Sequence, residues 1–298
     1  MYFTAFADEV SDSLDVQIKV TKELGWQNIE SRKVLVKGFP EGLIHDISDE
    51  AFERLVEKLE ASGVRVNCFG SAIANWSKKI DEPFASSLAE VHRSIPRMQR
   101  LGAKLVRIMS FAVRDGEDQM EQERFQRVKT INRMFADAGL TAVHENCMNY
   151  GGMGWPFTLK LLENVPGLKL VFDTGNPVFS DDRSKSKPYP KQSSWEFYSH
   201  VKEHIAYVHI KDGYWDAKND KSIFSYPGEG QGNVRRIVKD LISRGYEGGI
   251  SIEPHMGKVF HDDSSGHSLN AEQIYIEYGR RMITMVENIR AELKSSGG

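Results

Sequence analysis

Four side chains of the kinds that bind divalent cations follow four successive apolar runs in the second half of the sequence. They are Glu145 in TAVHEN, Asp173 in LKLVFDTGN, His209 in IAYVHIKD and Glu253 in GGISIEPH. Each apolar run is typical of a buried strand, and a helix-like segment follows it. Because the parallel strands of a barrel all end on one face, these side chains would meet at one point. Two glutamates, an aspartate and a histidine form a mainly oxygen site for one divalent cation.

The elements that must position these residues alternate between strands and helices along the whole chain. Eight strand-like runs, each followed by a helical pattern, are predicted at 2–8, 26–32, 64–70, 103–111, 140–146, 168–174, 206–212 and 248–254. This alternation predicts a parallel sheet, and eight such units in about 250 residues or more are the size of a closed barrel. No change in composition marks a domain boundary. The sequence therefore predicts one α/β domain over residues 1–298, a single (β/α)8 TIM barrel.

Composition and charge exclude several classes of partner. The 298 residues include 39 Lys and Arg and 42 Asp and Glu, which gives a formal net charge of −3. This balance provides no basic surface for nucleic acid or for an anionic membrane, and no apolar run is long enough to span a bilayer. The N-terminal segment MYFTAFADEV lacks the pattern of a signal peptide. We therefore expect a cytoplasmic protein without a nucleic-acid or membrane partner, and the sequence leaves a homo-oligomer open.

Three further residues are candidates for substrate contacts or for charge pairing at the same site. Strand alternation places Lys211 on the face of His209, and His255 on the face of Glu253, so both are predicted to point into the pocket. A solvated surface position is the alternative for each. Arg107 lies within the apolar run LVRIM, so it must either face the pocket as a substrate ligand or pair with an acid. Glu30 is one candidate for that acid.

Two weaker patterns lie at the end of the seventh predicted strand and after it. Asp212 lies three residues after His209 and is a candidate to orient the imidazole. The segment GEGQGN at 228–233 lies where phosphate groups often bind in such barrels, but it lacks the Lys-Ser or Lys-Thr ending of a P-loop. We interpret this segment as a glycine-rich turn.

The runs HEN, FDTGN, VHIKD and SIEPH, together with ADEVS and LGWQNIE near the N-terminus, resemble the sugar phosphate isomerase/epimerase-like family. That family has the xylose isomerase-like TIM barrel, and the similarity extends over nearly the whole chain. It implies that Glu145, Asp173, His209 and Glu253 hold one divalent metal ion, with Mn²⁺ as first choice and Mg²⁺, Co²⁺ or Zn²⁺ as alternatives. In the ketose 3-epimerases of the family the two ligand glutamates also move the proton, which implies catalytic roles for Glu145 and Glu253. Asn176 stands where those enzymes carry a histidine, so it is expected to contact substrate.

The resemblance implies an enzyme that isomerises or epimerises a sugar or keto-sugar, its small-molecule carbohydrate partner. Such an enzyme abstracts the proton next to a carbonyl through a metal-bound enediolate. Asn176 departs from the ketose 3-epimerases, and the HIKD and DTG forms look closer to inosose dehydratase-like and uncharacterised members of the family. A metal-dependent dehydratase or lyase acting on inosose-like or keto-glycoside substrates is therefore the alternative.

Two other classes of function are weighed against an enzyme of carbohydrates. An apurinic endonuclease-like nuclease shares the barrel, but it needs three zinc ions, extra histidines and a basic surface for DNA. Extra histidines are present at His144, His200, His204, His255, His261 and His267. The net charge of −3 argues against this class. A non-catalytic sugar-binding barrel is disfavoured because all four ligand positions are intact.

Overall fold

All eight predicted strands form, and they lie in one parallel sheet. The computed structural model describes residues 1–256 and 270–296. The barrel strands are β1 (Tyr2–Ala5), β2 (Asn28–Ser31), β3 (Arg65–Phe69), β4 (Leu105–Ile108), β5 (Thr141–Glu145), β6 (Lys169–Asp173), β7 (Ile205–Ile210) and β8 (Gly249–Ile252). Hydrogen bonds join them in the order β1-β8-β7-β6-β5-β4-β3-β2. A parallel bridge between Phe6 and Glu30 brings β1 next to β2, so the sheet is a nearly closed barrel.

One long helix follows each strand and covers the outside of the barrel. The helices are α1 (Leu14–Glu23), α2 (Asp49–Ser62), α3 (Ala85–Leu101), α4 (Glu121–Asp137), α5 (Trp155–Asn164), α6 (Ser194–Val201), α7 (Val234–Ser243) and α8 (Ala271–Ser296). Local sequence signals set their ends, as in α2. There Ser48 Oγ accepts the Ala51 N–H, and Gly63 ends the helix at a φ of 73°. The predicted (β/α)8 architecture is confirmed.

In the described ranges, short elements that the sequence pattern did not predict lie after several barrel strands, and three of them have regular strand or α-helical structure. Two are hairpins and one is a single helical turn: Lys33–Val34 with Gly42–Leu43, Gly213–Asp216 with Lys221–Phe224, and Asn176–Phe179. Elements of two to four residues are too short for a strand or helix period to be recognised in the sequence. His261 and His267, two of the histidines weighed for a nuclease, lie outside the described residues. Within the described ranges, no helix has both the length and the apolar character that crossing a membrane requires.

The apolar core lies between the sheet and the helices, while the inside of the barrel is partly polar. Outward-facing strand residues such as Ile108, Val208 and Ile250 are completely buried against the helical layer. Inside the barrel, Asn67 accepts a hydrogen bond from Thr4 Oγ1 at 2.7 Å, and its amide donates to the hydroxyl of Tyr207 at 3.0 Å. Charged side chains nearer the carboxyl ends of the strands can find hydrogen-bond partners in such a polar interior, which an apolar interior would not supply.

One buried histidine outside the barrel affects how stability depends on pH. His45 is completely buried, and neither ring nitrogen makes a hydrogen bond within the part of the chain that the structure describes. Its nearest acid is Asp46, whose Oδ2 lies 3.6 Å from Nε2. Burial is the largest influence and lowers the pKa of His45 to about 4, against the opposing effect of Asp46. Unfolding would return this pKa to about 6.5.

We expect this histidine to make the fold less stable as the pH falls. Because the folded-state pKa is the lower one, the stabilisation is present above about pH 6.5 and is lost as the pH falls from there toward 4. At pH 5 the loss is on the order of 2 kcal/mol, at about 1.4 kcal/mol per pKa unit. Urea unfolding at pH 7.5 and pH 5 should show a smaller pH dependence for His45→Met than for the wild type. His92→Met, at an exposed histidine, is the control. Equal pH dependence of wild type and His45→Met would contradict the expectation.

Candidate functional site

The four predicted ligand residues meet at the carboxyl ends of four neighbouring strands. Glu145 and Asp173 are the last residues of β5 and β6, His209 lies in β7, and Glu253 follows β8. The parallel register pairs His209 with Asp173 on one side and with Ser251 on the other, so these strand ends lie at one level. One ligand atom from each of the four residues lies within 4.8 Å of the others, and all four side chains are buried.

The two sides of the His209 ring face different carboxylates. Nδ1 lies 3.3 Å from Glu145 Oε1 and 3.9 Å from Glu253 Oε2. Nε2 points away from this cluster and lies 3.0 Å from Glu30 Oε2. Asp173 is oriented in a similar way, because its Oδ1 accepts the backbone N–H groups of residues 175 and 176. Nδ1 of His209 and Oδ2 of Asp173 therefore face the centre of the cluster.

Lys211 and Asn176 lie inside the cluster. The Lys211 ammonium is 3.1 Å from Asp173 Oδ2 and 3.0 Å from Glu253 Oε2, and it donates a hydrogen bond to Asn176 Oδ1 at 3.0 Å. The amide of Asn176 donates in turn to Glu145 Oε1 at 3.2 Å. These two predicted substrate-binding residues thus contact three of the four candidate ligands directly.

Arg107 pairs with the carboxylate of Glu145. Pairing with an acid was one of the two roles that the sequence left open for it. Its Nη1 lies 2.9 Å from Glu145 Oε2, and its Nη2 donates to the carbonyl of Ser71 at 3.1 Å. Glu30, the candidate partner from the sequence, contacts His209 instead. The strand register explains the choice. Arg107 lies opposite Val143 on β5, and Glu145 is two residues farther on the same face.

A second group of charged residues, from the ends of β1, β2 and β8, borders Glu253. His255 Nε2 lies 3.5 Å from Glu253 Oε1, and its Nδ1 lies 3.2 Å from Glu9 Oε2. Arg32 contacts Asp8 at 2.8 Å and Glu9 at 2.9 Å, and its Nη1 is 3.6 Å from Glu253 Oε1. Neither Arg32 nor Glu9 was predicted from the sequence to take part in the site. Their positions just after β1 and β2 were the available signal, since those strands end on the same face.

Phe6 separates the two arginines and packs against the histidine. Its ring centroid lies 4.5 Å from Arg32 Cζ, 5.0 Å from Arg107 Cζ and 4.8 Å from the His209 ring centroid. The ring fits because residue 70 is glycine, where an added Cβ would lie 2.5 Å from Phe6 Cε1. Phe6 therefore provides cation–π contacts to both guanidinium groups and restricts the orientation of the imidazole.

Burial and neighbouring charges shift the pKa values of the cluster in opposite directions. Burial raises the pKa of Glu145, but Arg107 and His209 outweigh it and hold that pKa at about 2. Burial also acts to raise the pKa of Glu253. Lys211, His255 and His209 outweigh it and hold that pKa well below its usual range. At Asp173 burial prevails over Lys211 and raises the pKa to about 6. At His209 burial disfavours the charged ring, yet Glu30 and Glu145 raise the pKa to about 10. Both glutamates are thus ionised at neutral pH.

The donor atoms of the cluster fit a divalent cation. Among residues 1–256 and 270–296, no group donates a hydrogen bond of ordinary geometry to the buried Asp173 Oδ2 and Glu253 Oε2, although Lys211 Nζ lies 3.1 and 3.0 Å away. A cation would satisfy these lone pairs. Three carboxylates and one imidazole are a donor set that suits Mn²⁺, Mg²⁺ or Zn²⁺. Any such ion would need an unprotonated Nδ1 on His209.

Asp212 does not orient His209, contrary to the hypothesis from the sequence. Odd-numbered residues at the end of β7 face the cluster, so Asp212 faces away from it. Its carboxylate instead accepts four backbone N–H groups at 2.8–3.1 Å, those of Gly213, Gly228, Gly230 and Gly232. The GEGQGN segment is therefore a turn whose N–H groups bind the chain's own carboxylate.

Comparisons with known proteins agree on the architecture. The family model described as xylose isomerase-like TIM barrel matches residues 18–277. A xylose isomerase-like TIM barrel protein from Mycobacterium smegmatis in complex with magnesium is 17% identical, with a TM-score of 0.68 over 92% of this chain and 88% of that one. D-Psicose 3-epimerase with D-tagatose from Clostridium cellulolyticum H10 is 15% identical, with a TM-score of 0.66 over 97% of this chain and 99% of that one. The probable 3-DHS dehydratase involved in petrobactin synthesis from Bacillus anthracis is 16% identical, with a TM-score of 0.67 over 95% of this chain and 99% of that one. None of the curated proteins matches.

We expect Arg107→Met to destabilise the metal-free protein by about 3–5 kcal/mol, because it removes the guanidinium partner of the buried Glu145 carboxylate. Adding Glu145→Gln should recover most of that loss, since the amide is neutral and keeps the shape of the side chain. Urea unfolding in EDTA measures both variants. Arg54→Met, which breaks an exposed pair with Glu57, is the control and should change stability by less than about 1 kcal/mol. An Arg107→Met variant as stable as the wild type would contradict the expectation.

Proposed function

Because this chain belongs to the xylose isomerase-like TIM barrel family, we propose that it is a divalent-metal-dependent isomerase or epimerase of a sugar or keto-sugar. The observation that carries the proposal is the convergence of Glu145, Asp173, His209 and Glu253 at the carboxyl end of the barrel. Active sites of TIM-barrel enzymes lie at this end. The similarity to a magnesium-containing barrel and to an epimerase crystallised with D-tagatose supports the same choice.

Glu145, Asp173, His209 and Glu253 would hold the ion, with Mn²⁺ as first choice for this mixture of carboxylates and imidazole. When bound, a divalent cation polarises a substrate carbonyl and makes the neighbouring C–H more acidic. It would also take over the charge neutralisation that Lys211 provides to Asp173 and Glu253. The Lys211 ammonium could then donate its hydrogen bonds to substrate oxygens, together with the amide of Asn176.

Glu145 and Glu253 are the proposed proton-transfer groups. They approach His209 Nδ1 from the ends of β5 and β8, so a substrate above the cluster would lie between them. Arg107 holds Glu145 Oε2 and leaves Oε1 toward the cluster. Because their pKa values are low, both are ready to accept a proton at neutral pH, and a weak base suffices for an acidified C–H. One would remove the proton next to the carbonyl, and the other would return it.

A dehydratase or lyase acting on an inosose-like or keto-glycoside substrate is the second candidate. The same proton abstraction leads to elimination when a β-hydroxyl or β-alkoxy group departs, and departure needs a proton donor. His255 is suitably placed for that role, with Nε2 3.5 Å from Glu253 and Nδ1 against Glu9. The similarity to a probable dehydratase favours the same candidate.

Two of the histidines weighed for a nuclease, His144 and His200, are engaged elsewhere in the fold. His144 Nε2 contacts Ser110 Oγ at 2.9 Å and Asn149 Oδ1 at 3.0 Å on the opposite face of β5. The His200 ring stacks on Trp155 with centroids 3.7 Å apart. Neither contributes to the cluster at the barrel end, so a small carbohydrate is the proposed partner rather than a nucleic acid.

Isotope exchange tests the proposed reaction class. The protein with Mn²⁺ is incubated in D₂O with ketoses, inososes and keto-glycosides, and proton NMR follows the position next to the carbonyl. We expect deuterium there in one substrate class, loss of exchange in EDTA, and recovery with Mn²⁺. An isomer as product supports the first candidate, and an unsaturated ketone supports the second. Exchange that persists in EDTA rejects a metal-dependent enzyme. Far-UV circular dichroism should remain unchanged in EDTA, because the barrel has its own core.

Substitution of the two glutamates tests their roles. Glu145→Gln and Glu253→Gln should each lower kcat by about 10²–10⁴, the usual contribution of a positioned acid or base. With two-base chemistry, one of the variants should still exchange the α-proton with solvent while net turnover is lost. Glu163→Gln, at an exposed glutamate of α5, is the matched control. If both site variants keep wild-type turnover, these carboxylates are not the bases.

A further inference from the structure

We propose that Glu30 is a positioning residue that holds His209 with its Nδ1 lone pair directed at the metal site. The inference rests on the metal site of the proposed function and adds a residue to it from the opposite side of the barrel. Glu30 lies in β2 and is completely buried. Its Oε2 is 3.0 Å from His209 Nε2 and accepts the hydroxyl of Ser251 at 2.9 Å.

The chemistry of the imidazole makes this contact decisive. A neutral histidine carries one N–H, on either Nδ1 or Nε2, and only the other nitrogen can bind a metal. Glu145 Oε1, 3.3 Å from Nδ1, would draw the N–H to the side that faces the cluster. Both carboxylates accept hydrogen bonds, but Glu30 Oε2 is the nearer at 3.0 Å, so it favours the N–H on Nε2 and leaves the Nδ1 lone pair toward the cluster. Metal-binding histidines commonly depend on a carboxylate or carbonyl in this position.

Glu30 is an unfavourable choice for this position if its role were only to fill space. Its Oε1 is buried without a hydrogen-bond partner among residues 1–256 and 270–296. A buried carboxylate with one unpaired oxygen is less favourable there than an apolar side chain of similar size would be. Ile29 pairs with Val66 and Glu30 with Cys68, so β3 has one extra residue beside Glu30. Bulges of this kind are frequent next to active sites, where they redirect side chains.

Glu30→Gln tests the proposal, because the amide has the same shape but can present an N–H to Nε2 and so stabilise the wrong tautomer. Co²⁺ is the probe, and its affinity is measured by competition with a chelator without any substrate. We expect the affinity to fall by about 10–100-fold. The proton NMR spectrum of the Co²⁺-loaded wild type should contain a shifted, slowly exchanging histidine N–H signal, which Glu30→Gln should lose. Ser251→Ala, which removes the hydroxyl that anchors Glu30, should weaken Co²⁺ binding in the same direction but less.

Thr4→Val is the matched control. It removes a buried hydrogen bond to Asn67 in the same barrel interior without touching His209, and it should leave Co²⁺ affinity unchanged. Wild-type affinity together with an intact N–H signal in Glu30→Gln would overturn the proposal, and so would an equal loss in Thr4→Val. Because no substrate is used, failure of this inference differs from failure of the proposed reaction. If Glu30→Gln lowers Co²⁺ affinity while the wild type exchanges no α-proton, only the proposed reaction is rejected, and the role of Glu30 stands.

Discussion

The burial of several carboxylates at one end of the barrel is the constraint on which the site depends. Each buried charge costs several kcal/mol unless a partner compensates for it, and removing one partner costs more than never having buried the pair. Arg107 compensates Glu145, and Lys211 lies between Asp173 and Glu253. Arg107 lies on β4 beside the strand of Glu145, and Lys211 follows β7, which lies between the strands of Asp173 and Glu253, so the strand order of the barrel places a cation next to each acid.

The rest of the barrel interior is adapted to this cluster. Phe6 occupies the space between two guanidinium groups and the imidazole, and residue 70 must be glycine for that ring to fit. Below it, Thr4, Asn67 and Tyr207 form hydrogen bonds to one another across the barrel. The interior thus changes from neutral polar groups to paired charges toward the end of the barrel at which TIM-barrel enzymes have their active sites.

The arrangement explains how a site can be prepared for a cation and remain folded without one. Lys211 contacts two candidate metal ligands, and the protonated form of His209 contacts Glu145 and Glu30. Both groups carry positive charge where a divalent ion would otherwise supply it. At the glycine-rich turn, too, a group of the protein takes the place of an external ion. The Asp212 carboxylate accepts hydrogen bonds from backbone N–H groups that could otherwise bind an anion.

The sequence by itself determined the eight strand–helix units and the position of each candidate ligand at a strand end, because periodicity and strand boundaries are local properties. Alternation also placed Lys211 on the face of His209, although it could not show that Asp212 turns toward the glycines. Only the tertiary structure decided which charges pair, such as Arg107 with a residue 38 positions away and His209 with one 179 positions away. Such partners depend on strand register and on closure of the barrel, which bring together residues whose local sequence patterns carry no information about each other.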